Sequence, residues 1–154
     1  MKASNRFLLG FGIAIALLVV VTLVLVLTAK NDISMRPENT PEGTVQRFLL
    51  AVQDKDYPKA FSYLRIVENN RTLSYDDWVI SVRPPSQSLQ RAWKATLGEI
   101  RVTGNKATVE VMMDIFRPGG PFENPVDVQT ILFQLEKTDE AWFITQRPSL
   151  FWLY

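Results

Sequence analysis

Between Arg6 and Lys30 the chain runs for 23 residues without a charge. Leu, Val, Ile, Ala, Phe and Gly make up almost all of residues 7–29, and only Thr22 and Thr28 bring hydroxyls. Wound as a helix, this run measures ~34 Å at ~1.5 Å per residue, enough to cross a hydrocarbon core of about 30 Å. The cluster Val19, Val20, Val21 would favour a strand in water. In lipid every backbone amide needs a partner inside its own segment, so a transmembrane helix over residues 7–29 is expected. A cleaved secretory signal is the competing reading, because Lys2 and Arg6 precede the run. Its apolar core would be only ~7–15 residues long and end on small side chains. Leu27 stands where cleavage after Ala29 would want one, although Val26-Leu27-Thr28 is a tolerable alternative. Length favours an uncleaved signal anchor.

Lys2 and Arg6 on one flank nearly balance Lys30 and Arg36 on the other, so charge alone scarcely orients the span. A six-residue tail is a poor cytoplasmic domain, whereas a globular C-terminal domain translocates largely regardless of its charge. The expected arrangement is residues 1–6 cytoplasmic, 7–29 in the membrane, 30–40 as linker and 41–154 as an extracytoplasmic domain. Gly10 with Ala14, and Gly12 with Ala16, stand four apart on one helix face. Such small-xxx-small spacing lets a second helix approach closely, which marks these four residues as candidates for helix packing. The polar linker reaches at most ~40 Å at ~3.5 Å per residue, so the domain stays near the bilayer.

The first part of that domain reads as helical. Thr40-Pro41-Glu42 supplies an N-cap, a proline for the first helical position and an acid for the first turn. Val45, Phe48, Leu49 and Val52 follow at i, i+3, i+4, i+7 as one apolar stripe. Asp54-Lys55-Asp56 breaks it, and Tyr57, Ala60, Phe61 and Leu64 repeat the spacing in a second short helix. A third is expected from Ser74, with Asp77 in capping-box position and Trp78, Val79 and Val82 on its apolar face. Arg83-Pro84-Pro85 ends it.

From about Trp93 the period falls to two. Residues 97–102 read as a strand, Thr103-Gly104-Asn105-Lys106 as a turn, and residues 107–116 as a second strand with Ala107, Val109, Val111, Met113 and Ile115 on one face. The opposite face, with Thr108, Glu110, Met112, Asp114 and Phe116, reads as mostly solvated. Residues 126–137 form a third strand burying Ile131, Phe133 and Leu135, and residues 141–146 a fourth containing Trp142-Phe143-Ile144. Three helices followed by an antiparallel meander give an α+β class, the helices covering one face of a curved four-stranded sheet.

The stretches Thr40-Pro41-Glu42-Gly43-Thr44-Val45, Phe48-Leu49-Leu50-Ala51-Val52, Asp56-Tyr57-Pro58-Lys59-Ala60-Phe61, Val102-Thr103-Gly104-Asn105-Lys106-Ala107 and Trp142-Phe143-Ile144 together resemble the nuclear transport factor 2-like superfamily. The resemblance covers residues 40–146 and implies a cone-shaped α+β domain. It also implies the type found in short bacterial proteins tethered by one N-terminal span. It is a pattern of apolar positions, so it bears on fold more than on function. Enzymes of this superfamily place an Asp, often with Tyr, Arg or His, inside the cone.

Chemistry is constrained by what is missing. The chain has no His and no Cys, which excludes a Ser-His-Asp triad, thiol nucleophiles, disulfides and His or Cys metal ligation. Seventeen basic against sixteen acidic residues give no concentrated positive charge, so no nucleic-acid partner is expected. The strand face assigned to the interior carries no alternating acid. Asp114 has the wrong parity, Asp127 sits where its strand begins, and Tyr57 and Tyr63 fit amphipathic packing. Asp54 and Asp56 read as a cap and a solvated turn rather than a metal site. The expectation is therefore no catalytic residue, no metal and no cofactor.

Two features point to protein contacts. Phe122 stands in the turn-rich run Pro118-Gly119-Gly120-Pro121, and the chain closes on Leu150-Phe151-Trp152-Leu153-Tyr154. Phe122, Phe151, Trp152 and Tyr154 are candidate partner contacts, the tail alternatively completing the sheet or resting at the lipid interface. The expected function is a non-catalytic, single-span accessory or binding protein, a small subunit beside integral membrane proteins. Alternatives are an accessory subunit of an energy-converting electron-transfer complex, or a tethered small-ligand carrier or enzyme using the cone interior.

Overall fold

A computed structural model describes residues 12–24, 34–82, 92–116, 120 and 124–148. The chain divides into two compact units, Met1–Ser34 and Met35–Tyr154.

In the first unit residues 12–24 form helix α1, exposed along its whole described length. The Thr22 hydroxyl donates to the Leu18 carbonyl at 2.8 Å, which satisfies it without a partner outside the helix. No helix among the described residues is long and apolar enough to cross a membrane. The reason is length: the 13 residues of α1 rise only ~20 Å, short of a hydrocarbon core. The transmembrane helix expected over residues 7–29 is thus not found among the described residues, and residues 7–11 and 25–29 lie outside them.

The second unit opens on helix α2, Pro41–Gln53. Extended Thr40 caps it, its hydroxyl oxygen accepting from Gly43 N at 3.1 Å, with Pro41 and Glu42 in the first turn as the sequence predicts. A β-carbon on Gly43 would collide with the Pro37 carbonyl oxygen, so glycine lets residues 36–40 fold back on the helix. There the Arg36 amide donates to Gln46 Oε1 at 2.7 Å, and Arg47 donates to the Arg36 carbonyl at 3.1 Å. The helix ends where Lys55 takes a left-handed conformation (φ 61°). Its amide then reaches the Val52 carbonyl at 3.1 Å and that of Asp56 the Ala51 carbonyl at 2.8 Å.

Helix α3, Tyr57–Ser62, begins at once, Asp56 accepting from Lys59 N at 3.2 Å. It stops before Leu64, which the sequence places on the helix. Leu64 instead forms a bridge to Ile144, with Arg65 N donating to the Ile144 carbonyl and Ile144 N to the Tyr63 carbonyl, both at 2.9 Å. Strands β1, Val67–Glu68, and β2, Arg71–Thr72, make a small hairpin that the sequence reading does not contain. Asn69 and Asn70 both take positive φ at its turn. Helix α4, Tyr75–Val82, follows Ser74, whose hydroxyl accepts from Asp77 N at 3.2 Å and donates to its carboxylate at 2.7 Å, the expected capping pair.

Strands β3 (Ala92–Thr103), β4 (Lys106–Phe116), β5 (Val126–Thr138) and β6 (Ala141–Ile144) form an antiparallel meander in chain order. This is the α+β class with the expected four-stranded sheet. β3 begins five residues earlier than its expected start at Leu97. Its register shifts between Leu97 and Ile100, so Leu97 faces Val111 while Ile100 faces Val109. The bulge and the charges of Lys94, Glu99 and Arg101 guard this outer edge against further pairing. The β6 edge is covered by the Tyr63–Arg65 hydrogen bonds.

Val45, Phe48, Leu49 and Val52 of α2 join Ala60, Trp78, Val79 and Val82 in burial against Val109, Val111, Met113, Ile115, Phe133, Leu135, Trp142 and Ile144 of the sheet. The β4 parity is the predicted one. Phe48 lies at the centre, its ring 6.3 Å from Trp78 and 5.9 Å, edge-on, from Phe133. Buried Thr44 reaches across to the Trp142 carbonyl at 3.4 Å, tying α2 to β6.

Candidate functional site

The inner face of the sheet, covered by the helices, is where a buried acid would have to sit. Met113 and Ile115 are fully buried, Phe133 and Leu135 nearly so, and Trp142 is buried beside them. These apolar side chains pack as one cluster. Near the start of β5 the inner face turns polar. Asp127 pairs with Ile115 and Gln129 with Met113, both half-buried, and Gln129 Nε2 donates to the Asp127 carboxylate at 3.3 Å. Tyr57 and Tyr63 pack against the core, Tyr57 edge-on to Trp78 at 6.5 Å. Trp78 Nε1 is a buried donor with no acceptor among the described residues.

Charge does not gather around this interior. The carboxyl groups displaced from their ordinary range lie on the surface: Glu99, held low by hydrogen bonds and charge from Arg101 at 2.7 Å, and Glu140, held low by Lys137 at 2.6 Å. The Arg101 guanidinium is raised in turn by Glu99. Both carboxyls titrate lower folded than unfolded, so their stabilisation is present above the ordinary Glu range and fades as pH falls through the folded values. With no His or Cys in the chain, the thermal midpoint is expected to stay level from about pH 7 to about pH 5.5 and to fall only in more acid solution. Differential scanning fluorimetry across that range tests this, and a midpoint that moves between those values contradicts it. Among the described residues no group of three or more acidic side chains is placed to hold a metal ion.

The opposite face of the sheet is not simply solvated. Met112, Phe116, Val128 and Leu132 are 39%, 44%, 59% and 58% exposed. The register sets Val128 across from Asp114 and Leu132 across from Glu110, so Met112 lies diagonal to both and Phe116 diagonal to Val128. They form one apolar strip with a polar border of Lys94, Thr96, Glu110, Asp114 and Thr130, the pattern of a contact surface. Sequence parity places Met112 and Phe116 on this side, but only the register joins them to Val128 and Leu132.

A separate cleft of about 390 Å³ opens between α3 and the β1–β2 hairpin, lined by Phe61, Leu64, Arg65, Ile66, Leu73 and, at the hairpin, Val67 and Thr72. It shares no residue with strands β3–β6. The sequence gives no sign of it, because the hairpin that walls it is too short for periodic signals.

Of the residues predicted for helix packing, Gly12, Ala14 and Ala16 lie on α1 and are exposed; a β-carbon on Gly12 would meet no atom within 4 Å. Gly10, and the predicted partner contacts Phe122, Phe151, Trp152 and Tyr154, lie outside the described residues.

No family model and no curated protein matches the chain. Among solved structures it is similar to a SEC-C motif containing protein from Rhodopseudomonas palustris, at 17% identity over 72% of this chain and 79% of that one, TM-score 0.48. It is similar to a protein from Shewanella frigidimarina provisionally assigned as a ketosteroid isomerase, at 15% identity over 73% and 94%, TM-score 0.49. A nuclear transport factor 2-like protein from Cytophaga hutchinsonii is similar at 14% identity over 71% and 93%, TM-score 0.44. Likenesses of this size assign neither family nor activity, and the α+β architecture rests on the helices and strands themselves.

Proposed function

We propose that this chain is a non-catalytic, membrane-anchored accessory protein of the nuclear transport factor 2-like type, a small subunit that binds larger integral membrane proteins. One observation carries the reading: the inner face of β4 is buried and apolar, while the outer face of the sheet leaves an apolar strip, Met112, Phe116, Val128 and Leu132, exposed. A cone that works on a small molecule keeps space and a titratable group inside, whereas a subunit needs a surface. The charge-free run of residues 7–29 supports the anchor, with the C-terminal domain outside the cytoplasm. An accessory subunit of an energy-converting electron-transfer complex is a special case, since such a subunit needs no ligands for a redox centre of its own. An enzyme or carrier is the contrary reading, favoured by the half-buried pair Asp127 and Gln129.

The test is affinity purification of the full chain from its native membrane in mild detergent, with mass spectrometry of what accompanies it. Stoichiometric integral membrane polypeptides are expected. A monomer migrating alone overturns the proposal.

A further inference from the structure

The cleft beside α3 combines features that none of the preceding roles uses. Half-buried Phe61 and Leu73 give it apolar walls over the buried Leu64 and Ile66, and Arg65 lines it as an exposed side chain. The guanidinium carbon of Arg65 stands 4.0 Å from the centroid of the Phe143 ring, a cation–π contact. Its backbone amide is spent on the Ile144 carbonyl, but among the described residues no carboxylate pairs with its guanidinium. The one acid on the adjoining hairpin, Glu68, is already bridged to Arg147 at 3.2 Å. Thr72, across the cleft, is exposed and carries a hydroxyl free to donate.

We propose that this cleft binds a medium-chain aliphatic carboxylate. The hydrocarbon chain lies against Phe61, Leu64, Ile66 and Leu73, and the carboxylate accepts hydrogen bonds from the Arg65 guanidinium and the Thr72 hydroxyl. The cleft of about 390 Å³ is open to solvent, so it lodges a hydrocarbon chain along its apolar side rather than enclosing it. A guanidinium matches a carboxylate in bidentate geometry. The cleft is built wholly from residues 61–73, so the inference does not depend on membrane attachment or on the outer sheet face.

The experiment uses the full chain in phosphatidylcholine nanodiscs and a decanoate analogue bearing a diazirine, with crosslinked peptides located by mass spectrometry. Labelling is expected within residues 61–73, competed by decanoate but not by decan-1-ol. Arg65→Gln is expected to reduce it about tenfold or more, the loss of a charge-assisted pair. Because Arg65 is exposed, that variant keeps the parent's thermal midpoint, which separates lost binding from lost folding. Labelling unchanged in Arg65→Gln, competed equally by the alcohol, or confined to residues outside 61–73 overturns the proposal.

Discussion

Replacing Phe48 by Ala is expected to lower the unfolding free energy of the C-terminal domain by about 3–5 kcal/mol. The ring is fully buried at the meeting point of α2, α4 and the sheet, touching Trp78 on one side and Phe133 on the other. Removing it opens a cavity that none of its neighbours can fill by a simple change of rotamer, since Trp78 is also held by Tyr57 and Phe61. That loss is a large share of a total stability of about 5–15 kcal/mol, so the variant unfolds at markedly lower denaturant with an unchanged slope. A loss below about 1 kcal/mol would mean the helices do not pack on the sheet as described.

The second large effect concerns association rather than folding. Val128→Lys combined with Leu132→Lys places two cations in the apolar strip, each directly across from an acid, Asp114 and Glu110. Cross-strand opposite charges stabilise slightly, so the thermal midpoint is expected to hold or rise a little. Desolvating two ammonium groups at a contact surface is costly, and recovery of accompanying polypeptides is expected to fall more than about tenfold. Undiminished recovery would move the contact surface elsewhere on the chain.

What could be read without coordinates followed from periodicity. The α2 stripe and the alternation of β4 each repeat over enough residues to identify the element and the face it buries. The Thr40 and Ser74 caps were equally plain, because capping is chemistry local to three residues. The bulge in β3 was not legible: whether Ile100 shares a face with Leu97 depends on the partner strand, and the register alone places it opposite Val109. Leu64 satisfied the helical spacing, yet its segment gained two backbone bonds to β6 by leaving the helix. The β1–β2 hairpin has two residues per strand, too few for any period, and Asn69-Asn70 was its single trace. The outer strip is hidden in the sequence for a related reason: Val128 and Leu132 look like isolated surface apolar residues until the ladder brings Met112 and Phe116 alongside.

The central claim is that the uncharged N-terminal run stays on the protein and holds it in lipid. Alkaline carbonate washing of native membranes, followed by peptide mass spectrometry of pellet and supernatant, addresses it directly. The account predicts protein in the pellet, with peptides from residues 7–29 present. Protein released into the supernatant with its chain beginning beyond residue 29 would contradict it.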